Sequence, residues 1–369
     1  MHVNLLLPRL LSGADSTRAS RYNSSHVLTS ELDYDLPPDL IAQHPLEPRD
    51  ASRLMVIDRA AQAISHRHFV NVGQYLRPGD LLIANDTSVL NARLVGRKPT
   101  GGKAEILLLR KLNDTDWEAL VGGRRVGQAL FDGASAQALT ATVIEQRDGP
   151  QSIVRFSQPV EPYLDLIGET PLPPYIHEKL RDPQRYQTVY ARVAGSAAAP
   201  TAGLHFTPPL LDGLRAGGVN IAFVTLHVGL DTFKPIEVAE VEKHAIHTEW
   251  CEMPAATANA IHQTKANGGR VVAVGTTSMR VLESWGQRVT SDEGRMTNEG
   301  WSGFTNIFIT PGFKFNVADA LITNYHLPKS TLLALVGAFM GMGLMKHAYA
   351  EAIRERYRFY SFGDAMLIV

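Results

Sequence analysis

The 369-residue sequence has little of what defines several large classes of protein. It contains one cysteine, Cys251, so no disulfide framework can form within the chain. It has no run of about 18 apolar residues, which argues against a membrane span. The formal net charge is −1, so a nucleic acid or an anionic membrane would have to be held by a local basic patch. These features predict a cytoplasmic globular protein without a membrane partner.

Short motifs of several enzyme classes are missing as well. The sequence has no GxGxxG dinucleotide fingerprint, no GxSxG nucleophile elbow, no HExxH zinc helix and no paired cysteines of a zinc deaminase. His244 and His247 lie three residues apart, but no convincing third ligand accompanies them, and we predict no metal site. Chemistry other than acyl-enzyme hydrolysis is expected.

The first 30 residues carry arginines and serines, a single acid, Asp15, and a leucine cluster at residues 5–7. This composition fits either a transit peptide or a disordered extension from an upstream start codon. No cleavage-site pattern or charged segment accompanies the leucines, which favours the extension. We expect residues 1–30 to be disordered and the folded sequence to begin near Leu32.

Strand and helix patterns alternate through most of the remaining chain. Residues 254–267 and 330–356 have helical patterns, and strands are predicted for RLMVIDR, DLLIANDT, VNIAFVTLHVG, GRVVAVGTT, TNIFITPG and DALITNYH. This alternation predicts an α/β domain with a mostly parallel sheet that is covered on both faces.

The pattern changes between residues 88 and 158. Short strand-like segments follow one another there at a spacing of about ten residues, with Gly, Asn and Asp between them, which is typical of a small antiparallel barrel. We predict an inserted β-barrel domain at residues 88–158, within an α/β catalytic domain made of residues 31–87 and 159–369.

Polar residues stand where four of the predicted strands end. Ligands of open α/β sheets bind beyond the carboxyl ends of the strands, so these residues predict one shared cleft. They are Asn85, Asp86 and Thr87, then His227 and Gly229, then Gly275, Thr276, Thr277 and Ser278, and finally Asn324 and His326. The Gly275–Ser278 stretch begins a predicted helix, where free N–H groups suit a carboxylate, phosphate or ribose; alternatively its hydroxyls only cap the helix.

Basic residues alternate with aromatic residues in RDPQRYQTVYAR and RERYRFYSFGD. Arginine for phosphate and an aromatic ring for an unstacked base are the usual means of gripping single-stranded RNA. A solvated helix face with buried aromatic residues explains the same pattern. If RNA binds, Arg185, Arg192 and Arg358 are the candidates for phosphate contacts.

Several stretches taken together resemble the S-adenosylmethionine:tRNA ribosyltransferase-isomerase family of queuosine biosynthesis. They occur in family order from about residue 32 to residue 369 and include YDLPPDLIAQHPLEPRDASRLMV, GDLLIANDTSVLNARL, GSAAAPTAGLHFT, GRVVAVGTTSMRVLE and DALITNYHLPKSTLLALVGAF. The resemblance implies a metal-free enzyme built from an α/β domain and a smaller barrel. It also implies that the ribosyl part of S-adenosylmethionine goes to a 7-aminomethyl-7-deazaguanine at the tRNA wobble position, which gives epoxyqueuosine and releases adenine and methionine.

This chemistry requires a base for a proton beside the sulfonium. A histidine titrates near neutral pH and can serve, so His205 is our first candidate, with His227 and His326 behind it; a structural, hydrogen-bonded histidine is the alternative for each. The small residues of GSAAAPTAGLHFT would let the backbone approach the co-substrate, with Phe206 as a stacking face. S-Adenosylmethionine contacts are assigned to Thr201, Gly203, Gly275, Thr276, Thr277 and Ser278.

Contacts to the modified base are assigned to Asn85 and Asp86, because a carboxylate suits its ammonium group. We expect a monomer. Two other classes stay open from the residues alone. A conventional S-adenosylmethionine methyltransferase would leave S-adenosylhomocysteine, and a non-catalytic tRNA-binding protein would leave no product.

Overall fold

The computed structural model describes residues 26–122, 127–131, 139–147, 151–229, 232, 234–289 and 299–369. The predicted disorder of residues 1–30 therefore falls largely outside the described residues. Among the described residues, Val27 is buried and Thr29 Oγ1 donates to the carbonyl oxygen of Val238 at 2.6 Å, so the residues just before Leu32 also pack against the fold.

Strands and helices alternate along the described chain. The strands are β1 (Arg53–Asp58), β2 (Ala63–His68), β3 (Leu81–Asn85), β4 (Thr87–Val89), β5 (Arg93–Arg97), β6 (Lys103–Lys111), β7 (Asp116–Gly122), β8 (Gln128–Phe131), β9 (Leu139–Gln146), β10 (Gln151–Phe156), β11 (Gly168–Glu169), β12 (Val193–Ser196), β13 (Asn220–Leu226), β14 (Glu249–Met253), β15 (Val271–Val274), β16 (Trp301–Thr305), β17 (Ala320–Asn324) and β18 (Ala365–Ile368). The α-helices are α1 (Leu164–Ile167), α2 (Pro208–Ala216), α3 (Ala255–Ala266), α4 (Gly275–Val289), α5 (Thr331–Met340) and α6 (Met342–Arg354).

The large sheet has the strand order β16-β14-β13-β3-β15-β17-β18-β1-β2. Strands β13, β3, β15 and β17 pair in parallel at its centre, and β1 pairs in parallel with β18. Antiparallel pairs join β17 to β18 and extend both edges. The parallel centre brings the carboxyl ends of four strands to the same edge of the sheet.

Both faces of this sheet are buried, and successive residues of its strands belong to different cores. Leu81 and Ile83 pack in a core that includes residues of α3 to α6, whereas Leu82 and Ala84 pack in one that includes residues of α2. A strand covered on both faces needs an apolar residue at every position. The continuous apolar runs in the sequence therefore predicted the covered sheet.

The smaller sheet closes on itself as an antiparallel barrel in the order β5-β6-β7-β10-β9-β8, with β8 pairing back to β5. Gly96 lies at the closure, where a Cβ atom would come within 2.5 Å of the carbonyl oxygen of Leu130. Only glycine lets the two strands approach so closely. Strand β11 also pairs with β5, and the exact domain boundaries remain a prediction.

The predicted fold class, a mostly parallel α/β sheet with an inserted antiparallel barrel, is confirmed. Two local expectations are wrong. The helical stretch 330–356 is broken at Gly341, whose φ of +86° suits glycine, and the strand predicted within residues 305–312 ends at Thr305. Within the described ranges, no single helix is long and apolar enough to cross a membrane, although the pair α5 and α6, bent by 114°, reaches that length and composition together.

Candidate active site

A cleft opens where β13, β15 and β17 end. Its walls come from separate parts of the chain: residues 199–202, Val228 with Thr232, Gly275–Thr277, residues 323–327, Tyr360 with Ser361, and the single residues Tyr175 and Leu332. Three of the four predicted strand exits therefore meet at one cleft. The fourth, after β3, contributes no lining residue.

Helix α4 begins in the wall of this cleft. Gly275 has a φ of +91°, which glycine adopts without strain, and the chain turns there from β15 directly into the helix. Thr276 and Thr277 line the cleft, and Thr277 Oγ1 is a buried hydroxyl without a hydrogen-bond partner in the described chain. Ser278 instead donates to the carbonyl oxygen of Val274 at 2.8 Å, so its hydroxyl serves the helix start.

His326 is the predicted catalytic histidine that lines the cleft. Its Nε2 lies 2.8 Å from Thr323 Oγ1, and no hydrogen bond to Nδ1 occurs among the described contacts. Burial lowers the pKa of His326 from 6.5 to about 3, so its imidazole is neutral at pH 7. A neutral ring with one free nitrogen can accept or donate a proton, depending on the tautomer.

His205 lines a neighbouring small pocket that shares Ser361 with the cleft. Its Nδ1 lies 2.8 Å from Ser52 Oγ, and its ring stacks on Phe69. Its Nε2 is buried and has no partner in the part of the chain that the structure describes. Burial lowers the pKa of His205 to about 4, while the neighbouring Asn324 side chain, which lines the main cleft, opposes the shift.

His227 points away from the cleft, although the next residue, Val228, lines it. The ring stacks on Trp250, and Nδ1 lies 2.8 Å from Thr87 Oγ1. A Cβ atom on Gly195 would come within 2.6 Å of its Nε2. These contacts match the structural alternative considered for this histidine.

The residues assigned to the modified base are already engaged. Asn85 is fully buried; its Nδ2 donates to the carbonyl oxygen of Leu226, and its Oδ1 accepts from the N–H groups of Thr87 and Leu226. Asp86 accepts from Arg192 Nε at 2.6 Å and from Thr225 Oγ1 at 2.7 Å. The Arg192 side chain itself is 64% exposed.

Gly203 and Phe206 have internal partners in place of a ligand. A Cβ atom on Gly203 would come within 2.2 Å of Tyr190 Oη, which explains the glycine by packing. The Phe206 ring is 1% exposed and meets Phe69 edge-on, so it offers no stacking face here. Thr201 begins a 3₁₀ helix, Thr201–His205, and lines the cleft.

Arginines surround the His205 pocket. Arg185 and the unpredicted Arg49 line it, and Arg358 lies close enough to His205 to help lower its pKa. Arg358 Nη1 is buried and unpartnered within the described ranges. Arg49 and Arg185 use some of their donors on backbone carbonyl groups, Arg49 to Gln187 and Arg185 to Leu46. Arg49 was missed because no aromatic residue accompanies it in sequence.

The described residues contain no group of three His, Cys, Asp or Glu side chains arranged to hold a metal ion. Of the histidine pair noted in the sequence, His247 contacts Glu249 at 3.2 Å, and His244 packs edge-on against Phe308.

The fold is that of an α/β protein with a barrel insertion and a cleft at the strand ends. Residues 29–368 match the family model described as queuosine biosynthesis protein, and the chain belongs to that family. The resemblance seen in the sequence is thereby confirmed.

Relatives named S-adenosylmethionine:tRNA ribosyltransferase-isomerase include those of Symbiobacterium thermophilum, 52% identical, and Staphylococcus haemolyticus, 50% identical. Each alignment covers 92% of this chain and 99% of the relative. A crystal structure of S-adenosylmethionine tRNA ribosyltransferase from Thermotoga maritima is 37% identical, with a TM-score of 0.53, and the match covers 92% of this chain and all of that one.

The two buried histidines predict a pH dependence of stability. Their folded pKa values lie below the ordinary 6.5, so the unfolded chain binds protons first, and the free energy of unfolding falls as the pH drops from 6.5 toward 4. Between pH 7 and pH 5, each histidine should account for about 2 kcal/mol of the loss. Urea unfolding of His205→Gln and His326→Gln at both pH values should show correspondingly smaller losses than the unsubstituted protein.

His347→Gln, at an exposed position on α6, is the matched control and should keep the full pH dependence. Equal pH dependence in all four proteins would contradict the depressed pKa values.

Proposed function

We propose that this enzyme transfers and isomerises the ribosyl part of S-adenosylmethionine onto the 7-aminomethyl-7-deazaguanine at the wobble position of a tRNA. Epoxyqueuosine is formed on the tRNA, and adenine and methionine leave. The observation that carries the proposal is the family match over residues 29–368, in a chain whose matched segments build one cleft. We further propose that the protein acts as a cytoplasmic monomer and uses no metal.

The cleft has the groups that S-adenosylmethionine needs. Thr201, Gly275, Thr276 and Thr277 line it, and the free N–H groups at the start of α4 suit the ribose hydroxyls. The unpartnered Thr277 hydroxyl supports this assignment, because a buried polar atom without a partner costs free energy that a ligand can recover. Gly203 and Ser278 would not contact the co-substrate and would instead hold the lining residues of the cleft in position.

A proton acceptor is needed beside the sulfonium, whose charge acidifies the neighbouring carbon. His326 is the first candidate by position, since it lines the cleft and one ring nitrogen is free. His205 remains a candidate, because Asn324 lies at its side and also lines the cleft. His227 is the third candidate. It would affect the reaction only indirectly, by packing at the end of β13.

The anticodon loop would meet the protein at the His205 pocket. Arg185 and Arg358 are the proposed phosphate contacts there, with Arg49 as an addition. Arg192 would have to leave Asp86 before that carboxylate could meet the aminomethyl group of the base, whose ammonium would then replace the guanidinium as the partner of the buried carboxylate. Asn85 is proposed to hold β3 and β13 in position, and Phe206 to support the His205 loop from the core.

Product analysis tests the reaction directly. The protein is incubated with S-adenosylmethionine and a tRNA that carries 7-aminomethyl-7-deazaguanine, and the small products and the nucleosides are identified by mass spectrometry. Free adenine and methionine in equal amounts are expected, together with epoxyqueuosine in the tRNA. S-Adenosylhomocysteine would instead identify a methyltransferase, and no product at all would identify a binding protein. The same tRNA with guanine at the wobble position is the control.

Single-turnover rates of His326→Asn and His205→Asn should separate the roles of the two histidines. Loss of the catalytic base lowers the rate by about 10²–10⁴-fold, whereas binding of S-adenosylmethionine changes little. We expect this result for His326→Asn and a smaller effect for His205→Asn. The opposite order would assign the base to His205, and two unchanged rates would remove both from the chemistry.

The salt dependence of tRNA binding tests the arginines. Each arginine that meets a phosphate releases counterions, so its replacement by glutamine should reduce the slope of log Kd against log salt concentration by about one. We expect this for Arg185→Gln and Arg358→Gln, with Arg215→Gln on α2 as an exposed control. Unchanged slopes in Arg185→Gln, Arg192→Gln and Arg358→Gln would place all three outside the interface.

A further inference from the structure

Arg280 on α4 is a buried arginine, and two of its three side-chain nitrogens have no hydrogen-bond partner in the described chain. Its side chain is 8% exposed, and its Nη1 donates to Glu249. Its Nε and Nη2 are buried and have no hydrogen-bond partner in the described chain. Unsatisfied donors on a buried charged group cost free energy, so their presence calls for an explanation.

The unused atoms form one edge of the guanidinium group, the edge on which Nε and Nη2 donate side by side. Other arginines among the described residues bind carboxylates by that same edge, for example Arg270, which binds Asp80. Arg155 binds Asp116 with distances of 2.7 and 2.8 Å, and Arg354 binds Glu351 with distances of 2.9 and 2.5 Å. The free edge of Arg280 therefore has the geometry for a planar anion with two oxygens.

Glu249 is held in a position from which it does not also bind the Nε–Nη2 edge of Arg280. Its Oε1 accepts from the N–H of Gly229 at 2.9 Å and lies 3.3 Å from Thr232 Oγ1, and His247 Nε2 approaches it at 3.2 Å. The carboxylate is thus fixed at the Nη1 side of Arg280. It holds the guanidinium in place and leaves the other edge available.

Arg280 lines a small pocket that adjoins the main cleft, with Thr232 and Leu332 in the walls of both. Much of the rest of its lining is apolar and includes Ile307, Ile309 and Leu335. A small, mostly apolar pocket suits the end of a small ligand, whereas a nucleic-acid backbone, charged along its length, needs an open groove.

We propose that the Nε–Nη2 edge of Arg280 binds the α-carboxylate of the methionine part of S-adenosylmethionine. This assignment rests on the proposed function and adds the orientation of the co-substrate to it. The methionine end lies in the Arg280 pocket, and the nucleoside lies in the main cleft beside Thr276 and Thr277. The apolar walls pack against the methylene groups that precede the carboxylate.

Decarboxylated S-adenosylmethionine, which keeps the sulfonium and the nucleoside but lacks the carboxylate, is the probe. Its Kd and that of S-adenosylmethionine are measured by calorimetry. The unsubstituted protein should bind the decarboxylated compound roughly 30-fold more weakly or worse, because one partner of a buried charge-assisted pair is missing. In Arg280→Lys the ratio of the Kd of the decarboxylated compound to the Kd of S-adenosylmethionine should fall by about tenfold. Lysine keeps the charge beside Glu249 but lacks the pair of adjacent N–H donors that binds both oxygens of a carboxylate.

The double variant Arg280→Met with Glu249→Gln removes both charges together and should bind the two compounds equally well. Arg288→Lys, at an exposed position on the same helix, is the matched control and should keep the full ratio. Equal binding of both compounds by the unsubstituted protein, or an unchanged ratio in Arg280→Lys, would overturn the assignment.

Product analysis of the same preparations separates this inference from the proposed function. Release of adenine and methionine without discrimination between the two compounds would leave the function standing and reject the Arg280 site. Discrimination between the two compounds without release of adenine and methionine would support the Arg280 site and reject the proposed function. Weakened tRNA binding in Arg280→Lys, with an unchanged ratio of the two Kd values, would assign the site to a phosphate and also overturn the inference.

Discussion

The site depends on the burial of polar side chains at the carboxyl ends of the parallel strands. A buried polar group needs a partner, and most of those near the cleft have one inside the protein. Asn85 and Ser278, for example, bond to the backbone. Thr277 Oγ1 in the cleft wall and Arg280 beside it have none in the described part of the chain. The satisfied groups form the frame of the cleft, and Thr277 and Arg280 are the unsatisfied groups to which the proposed ligand would bind.

Small residues beside the cleft serve packing as well as access. Gly203 is small because Tyr190 Oη occupies the space that its Cβ would fill, and Gly195 leaves room for the ring of His227. These contacts hold the Thr201–His205 turn between the sheet and the His205 pocket. The Ala- and Gly-rich segment is thus a closely packed part of the wall, and only some of its residues face the cleft.

The three pockets near the strand ends differ in chemistry although they share walls. The main cleft is lined by hydroxyl groups and His326, the His205 pocket by arginines, and the third pocket by apolar side chains around Arg280. Ser361 joins the first two, and Thr232 and Leu332 join the first and third. These three environments would suit the nucleoside, the phosphate and the carboxylate of the proposed substrates.

The sequence by itself determined the sheet, the barrel and the polar strand exits, because apolar periodicity and local turn residues decide them. It also determined the family through motifs that stand in order along the chain. Side-chain direction was decided only by the tertiary structure: His326 lines the cleft, whereas His227, at a similar strand exit, packs against Trp250. The pairing of Glu249 with Arg280 joins residues 31 positions apart. Sequence spacing carries no information on such contacts, since they arise only when β14 and α4 pack together.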